Sequence, residues 1–333
     1  MDTSSPRWAQ LAHLKDHPEA SAWLRFQKVL GLADNTLDAY ARGVESFLAF
    51  CAQADLPTCL ATREHIGLYV RHLADAGLAN STMQQRLTAV RLFFDHLVED
   101  GVRTDNPVGR GRYTPGKAFA GARERGLIPH YRKLPWIPSE AEWRAILLSA
   151  QQESVRNRTM FAFAYDAGLR REELCSLHTG DVDPAHRLLR IRAETTKNRQ
   201  ERVVPYSAVA GQLFSAYLRE RRSRQRGGLF LSESARNALQ PVSMWTWTKV
   251  VEGIAERAGV PRFTTHTLRH LCLTDLARAG WDLHEIALFA GHRTVQSTLL
   301  YIHLSGRELS DKLVRSLDSL RGVRLTDMEQ HLL

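Results

Sequence analysis

No stretch of this chain approaches the ~20 consecutive apolar residues that a membrane-crossing helix requires, so no membrane span is expected. The N-terminus, M-D-T-S-S-P-R-W, has no basic segment leading into an apolar run, and a secretory signal is not expected either. Cysteine is scarce. The four present, Cys51, Cys59, Cys175 and Cys272, form no C-x-x-C pair, so neither a zinc knuckle nor a dithiol redox motif is written here and buried free thiols are the expectation. Internal repeats and low-complexity tracts are lacking as well. What remains is a cytoplasmic protein of ordinary globular composition, 44% hydrophobic and 24% charged. Its 333 residues suffice for two domains, each with its own core.

Acidic residues are outnumbered. Net charge is +9, which points toward a polyanionic partner. Its distribution says more than its sum. Between Gly101 and Trp136, Arg103, Arg110, Arg112, Lys117, Arg123, Arg125, Arg132 and Lys133 face only Asp105 and Glu124, so this one stretch carries +6 of the +9. A second run, Arg219 to Arg226, holds five arginines and one glutamate. Such runs are often no more than solvated surface. Two in one chain favour phosphate contact.

Residues 17–100 read as four helices. They cover about 18–30, the segment after Asp34 with Leu37, Tyr40, Val44, Phe47, Leu48 and Cys51 at helical spacing, 62–76 behind Thr62, and a segment from Asn80 that stops at Gly101. Strand-like alternation is absent, so this part is an all-α bundle. From Gly101 to about Pro138 no helical period survives, and 101–137 reads as a basic interdomain linker lying along DNA. A second domain, 138–322, opens on the capping box of Ser139 and Glu142. Helices at 156–167, 207–221, 243–258, 265–279, 282–290, 294–302 and 306–320 surround a β-hairpin formed by 187–193 and 201–205, and 323–333 is a tail. The fold class is therefore mainly α with a small β-hairpin, an α-helical N-terminal domain preceding a mixed α/β one.

The chemistry gathers in the second half. The segment H-T-L-R-H supplies His266, Arg269 and His270 on one helical face. A-G-H-R-T-V-Q-S-T-L-L-Y supplies His292 and, nine residues on, Tyr301. A-G-L-R-R-E-E-L places Arg170 and Glu173 behind a helix-ending glycine, and Lys197 sits at the hairpin tip. Each has an ordinary account alone. Tyr301 could pack in a core, Arg170 and Glu173 could form a weak surface ion pair, and Lys197 could simply be solvated. His266 and His270 could bind zinc, but position 267 is threonine and Arg269 would set a cation beside the metal. As a set they suit phosphoryl transfer without a metal. Fixed guanidiniums meet the charge spread over the non-bridging oxygens, and a phenol with an ordinary pKa of ~10 needs a base or a cationic pocket to become a nucleophile.

The ordered series G-L-R-x-x-E-L, hairpin lysine then E-R-V-V-P, H-x-L-R-H, and G-H with tyrosine nine residues on resembles the tyrosine recombinase (phage integrase) family over about 156–305. Residues 17–100 resemble its N-terminal core-binding domain in helical character and position. The resemblance implies that Arg170 and Arg269 clamp the scissile phosphate and that Lys197 protonates the leaving 5′ oxygen. It further implies that His266 assists acid–base transfer, that His292 hydrogen-bonds the phosphate, and that Tyr301 forms a 3′-phosphotyrosyl link. Glu173 then orients local structure, and His270 stands one step removed from the reacting atoms. No cofactor or metal is implied, and no ATP, because the covalent link stores the energy of the broken bond. The implied partners are double-stranded DNA carrying specific recombination sites and further copies of this chain, as a tetramer on two duplexes, with 306–320 packing on a neighbour or on its own domain. An arm-site-binding module ahead of residue 17 is not expected. The hairpin tip reads T-K-N-R where relatives commonly have G-K-G, T-T precedes His266, and F-A-G-H stands for the more usual L-G-H. A catalytically silent DNA-binding protein of the same fold and a topoisomerase-like relaxing enzyme are the alternatives.

Overall fold

Leucine, valine and phenylalanine recurring every three to four residues give the first half of the chain its helices, and burial of those stripes gives it a core. The structure, a computed structural model, describes residues 7–109, 127–128, 134–196, 198–221 and 227–304. The chain divides into two compact units, Met1–Lys133 and Leu134–Leu333.

In the first unit the described helices are α1 (Ala12–Lys15), α2 (Pro18–Val29), α3 (Asp34–Gln53), α4 (Arg63–Asp75) and α5 (Asn80–Glu99). Helices α3 and α5 form the central pair. Phe47 of α3 meets Tyr69 of α4 and Phe94 of α5 edge-on, with ring centroids 5.1 and 5.6 Å apart. This geometry sets the positive ring edge against the negative face. Trp8 and Leu14, both ahead of residue 17, are buried in the same core. Cys51 is buried as expected, but Cys59 is exposed, because it sits in the short 3-10 turn Thr58–Leu60 rather than on a packed helical face. Arg103 makes contacts within this unit. Its Nη1 donates to the carbonyl of Cys59 at 2.6 Å, and its guanidinium lies over the Phe94 ring at 5.2 Å. These contacts tie it to the end of the helical unit. Arg110, Arg112, Lys117, Arg123, Arg125, Arg132 and Lys133 lie outside the described residues.

The second unit opens with α6 (Glu140–Ala150), whose start carries the capping box read from sequence: the Ser139 amide donates to Glu142 Oε2 at 2.7 Å. Then follow α7 (Val155–Asp166), α8 (Arg171–Cys175), β1 (Val182–Asp183), β2 (Leu188–Ile191), β3 (Arg202–Pro205), α9 (Ala208–Glu220), α10 (Met244–Arg257), α11 (Thr265–Arg278), α12 (Leu283–Ala290) and α13 (Leu299–Leu304). The strands form an antiparallel sheet in the order β1-β2-β3, with Leu189 opposite Val204 and Ile191 opposite Arg202. Strand β1 was not anticipated, since two residues carry no alternation to read. The helix expected over 294–302 is instead a 3-10 turn, Val295–Ser297, followed by α13, and 306–320 lies outside the described residues. Mainly helical architecture with a small sheet is as anticipated.

Helix α11 occupies the middle of this unit. Helices α7, α12 and α13 pack around it, and Leu268, Leu271, Cys272, Leu273 and Ala277 are buried on several of its sides. Polar side chains on α11 are thereby held inside the domain by its apolar ones. No helix among the described residues is long and apolar enough to cross a membrane.

Candidate active site

The site forms where the C-terminal end of α12 meets α11, the start of α8 and strand β3. A helix leaves its last carbonyls without intrahelical donors, and they form the negative end of its dipole. Here arginines supply the donors. Arg202 Nε donates to Phe289 O at 3.0 Å, Arg269 Nη2 to Ala290 O at 2.6 Å, and Arg170 Nη2 to Gly291 O at 3.4 Å. Asn198 Nδ2 also donates to Gly291 O, at 3.1 Å. Three guanidiniums from three elements thus converge on one helix end.

Like charges so placed repel, and Glu173 offsets them. Its side chain is fully buried, and its carboxylate accepts from Arg202 at 3.1 and 2.7 Å and from Arg170 Nη1 at 2.8 Å. Burial alone would raise its pKa. The hydrogen bonds and charge of Arg202, joined by Arg170, outweigh burial and hold it at about 2. The pair is therefore no weak surface contact but an enclosed charge cluster. Arg170 keeps about a quarter of its side chain exposed, whereas Arg269 is almost wholly buried. Burial, then the charge of Arg170, draws Arg269 down to about 10, still cationic at neutral pH.

The histidines differ. His292 Nε2 lies 3.1 Å from Arg269 Nη2, which can only donate, so Nε2 accepts and the ring proton sits on Nδ1, donating to Thr298 Oγ1 at 2.8 Å. Burial, then the charges of Arg269, Arg170 and Arg202, lowers its pKa to about 4. In this arrangement His292 offers Arg269 a lone pair, not a phosphate a proton. His270 Nδ1 lies 3.0 Å from the Tyr301 hydroxyl, in direct contact with the phenol rather than one step removed from it. Burial, then His266 and Arg269, brings His270 to about 4. His266 stands at the rim, exposed as a residue but partly desolvated by its neighbours, its ring 6.4 Å from that of His270; that partial desolvation, then the charges of Arg171, Arg269 and Arg170, lowers its pKa.

Tyr301 is buried, and its ring lies parallel to His292 with centroids 6.0 Å apart. Burial raises its pKa, and the positive charges of Arg269 and Arg170 work against that rise. Arg170, Glu173, His266, Arg269, His270, His292 and Tyr301 are therefore assembled in one place, while Lys197 lies outside the described residues. Three participants were not singled out from sequence: Arg202, Asn198 and Thr298. Arg202 had a readable signal. Alternation along β3 puts it on the same face as buried Val204, and a cation there calls for a buried acid.

Comparison with known proteins identifies the family and the fold. The family model described as the phage integrase family matches residues 139–308, just over half of the chain, and the phage integrase N-terminal SAM-like domain matches 23–101. The tyrosine recombinase XerC of Herpetosiphon aurantiacus is 28% identical over 284 residues, covering 83% of this chain and 86% of that protein. The tyrosine recombinase XerD of Oceanobacillus iheyensis is 28% identical over 300 residues, covering 87% and 93%. Among solved structures, the integrase of transposon Tn1549 in complex with a circular intermediate DNA shares the fold, with a TM-score of 0.65 at 17% identity over 89% of this chain and 95% of that one. The chain belongs to the phage integrase family, the tyrosine recombinases.

Proposed function

We propose that this chain is a Xer-like site-specific recombinase that cuts and rejoins double-stranded DNA in the cytoplasm through a covalent link at Tyr301. The phenolate attacks the scissile phosphorus, the bond to the 5′ oxygen breaks, and that oxygen takes a proton from Lys197. Arg170 and Arg269 take up the charge on the non-bridging oxygens, with His266 as a further donor and His292 holding the Arg269 guanidinium through Nε2. Rejoining runs the same steps backward from a 5′ hydroxyl of another strand. Exchange between two duplexes requires four cleavages, hence four copies of the chain. The net charge of +9 suits the partner.

One observation carries the reading: a buried tyrosine hydroxyl lies in a pocket whose positive charge comes from arginine side chains tied to a helix end. A nicked duplex from the protein's own genomic surroundings, which cannot religate after cleavage, tests it. Wild type should accumulate a protein–DNA adduct that Tyr301→Phe cannot form, with site binding nearly unchanged. Adducts persisting in the Tyr301→Phe protein, or a strict requirement for a divalent ion, would overturn it.

A further inference from the structure

The Tyr301 proton has to leave before the phenol can attack, and a buried hydroxyl cannot release it to water directly. Among the described residues its hydrogen-bond partner is His270, through Nδ1 at 3.0 Å. We infer that His270, resting on the recombinase reading above, is the group that orients the Tyr301 hydroxyl and accepts its proton during cleavage.

The geometry gives the imidazole the right face. A phenol O–H donates to a neutral ring nitrogen, so Nδ1 carries the lone pair and Nε2 the hydrogen. The other two histidines are placed otherwise. His292 is engaged by Arg269 through Nε2 and by Thr298 through Nδ1, while His266 is exposed at the rim and makes no hydrogen bond among the described residues. Backbone placement is also specific: His270 lies mid-helix in α11, where its carbonyl accepts from Thr274 Oγ1 at 2.7 Å, one residue beyond Arg269.

The electrostatics set the timing. His266 and Arg269 bear on His270 from its own helix, and His292 and Tyr301 face it from the α12–α13 side. Arg170 acts on Tyr301 and His292 from the start of α8, and on the α7 side Tyr165 is already bonded to Asp275. These neighbours keep the free ring unprotonated at neutral pH, so it is available as an acceptor. A phosphodiester anion arriving between Arg170 and Arg269 cancels part of the cationic repulsion and makes the ring more basic as attack begins. The proton passes from the phenol oxygen to Nδ1, the phenolate oxygen bonds to phosphorus, and the electron pair of the broken bond leaves on the 5′ oxygen. In rejoining, the imidazolium returns its proton to the departing phenolate.

Single-turnover adduct formation on the nicked duplex, followed from pH 6 to 10, tests this. His270→Ala should bind the duplex as wild type does yet cleave about 100-fold more slowly or worse, with a rate rising roughly tenfold per pH unit as hydroxide replaces the missing base. His270→Asn keeps an acceptor near the Nδ1 position but cannot hold a proton, and it should remain slow with the same steep profile. It also carries the test if the alanine variant does not fold. A wild-type rate and profile in His270→Ala, or full restoration by asparagine, would overturn the assignment. Failure of wild type itself to form an adduct would instead strike the recombinase reading on which this one rests.

Discussion

Both carboxylate oxygens of Glu173 are held by the guanidinium of Arg202, at 3.1 and 2.7 Å, with the Glu173 side chain fully buried and that of Arg202 nearly so. The pair joins α8 to β3, and through Arg202 Nε to the end of α12, so three elements of the site share one charge cluster. Replacing both partners of such a buried pair can be nearly neutral, but removing one strands the other. Glu173→Gln leaves the guanidiniums of Arg170 and Arg202 without their shared anion. We expect it to destabilise the catalytic unit by about 3–5 kcal/mol, measured as a drop in the urea midpoint at unchanged slope. Arg202→Met with Glu173→Gln should recover part of that loss.

Acid should weaken the same unit in two stages. His270 and His292 each have a folded pKa of about 4 against an ordinary 6.5. As pH falls from 6.5 toward 4, the unfolded chain therefore binds protons that the folded chain refuses, and stability falls. Glu173, at about 2 against 4.5, adds a loss that begins below pH 4.5 and runs toward 2, worth about 3 kcal/mol by linkage. Denaturation midpoints at stepped pH should show both. The double variant His270→Asn, His292→Gln should flatten the upper stage and leave the lower one.

Much of this was legible in the residues, and the exceptions share a cause. Periodicity needs length. Helix α3 has twenty residues and was readable, whereas α8 has five and β1 two, too few for any repeat. Without α8 as a recognised element, Glu173 looked like a surface partner for Arg170, and its burial under Arg202 was hidden because that contact spans 29 positions in the chain. The spacing of His266, Arg269 and His270 places all three on one face but says nothing of which ring reaches Tyr301. That depended on where α13 packs, and the polar turn ahead of it, not a continuous helix, sets its position. The contact of Arg103 with Phe94 was not legible, because a basic stretch has no pattern to separate a charge stacked on a ring from one in solvent.

Gly291 offers a separable test of the helix end. Its φ is +60°, and a Cβ there would lie 3.0 Å from Arg202 Nη1 and 3.2 Å from its Cδ. Alanine costs about 1 kcal/mol for the left-handed backbone, and it also presses on the side chain that holds Glu173. Gly280, at φ +88°, has nothing within 4 Å of its hypothetical Cβ. Both alanine variants should lose stability by a similar backbone amount. Gly291→Ala alone should also lose cleavage, read as adduct yield on the nicked duplex.

Arg170→Lys separates charge from shape. The guanidinium donates through Nη1 to Glu173 and through Nη2 toward Gly291 O, and a quarter of the side chain remains open. A lysine ammonium can keep the ion pair with Glu173, so the stability of the unit should change little. It cannot hold that pair and at the same time present a planar fork to two phosphate oxygens, since its three hydrogens radiate from one nitrogen. Loss of one preorganised donor typically costs ~3–4 kcal/mol of barrier, about 10²–10³ in rate. The expected result is near-wild-type unfolding and DNA binding with single-turnover cleavage slowed by about that factor. Near-normal cleavage by the lysine variant would mean that Arg170 acts as a point charge anchoring Glu173, and that Arg269 alone grips the phosphate.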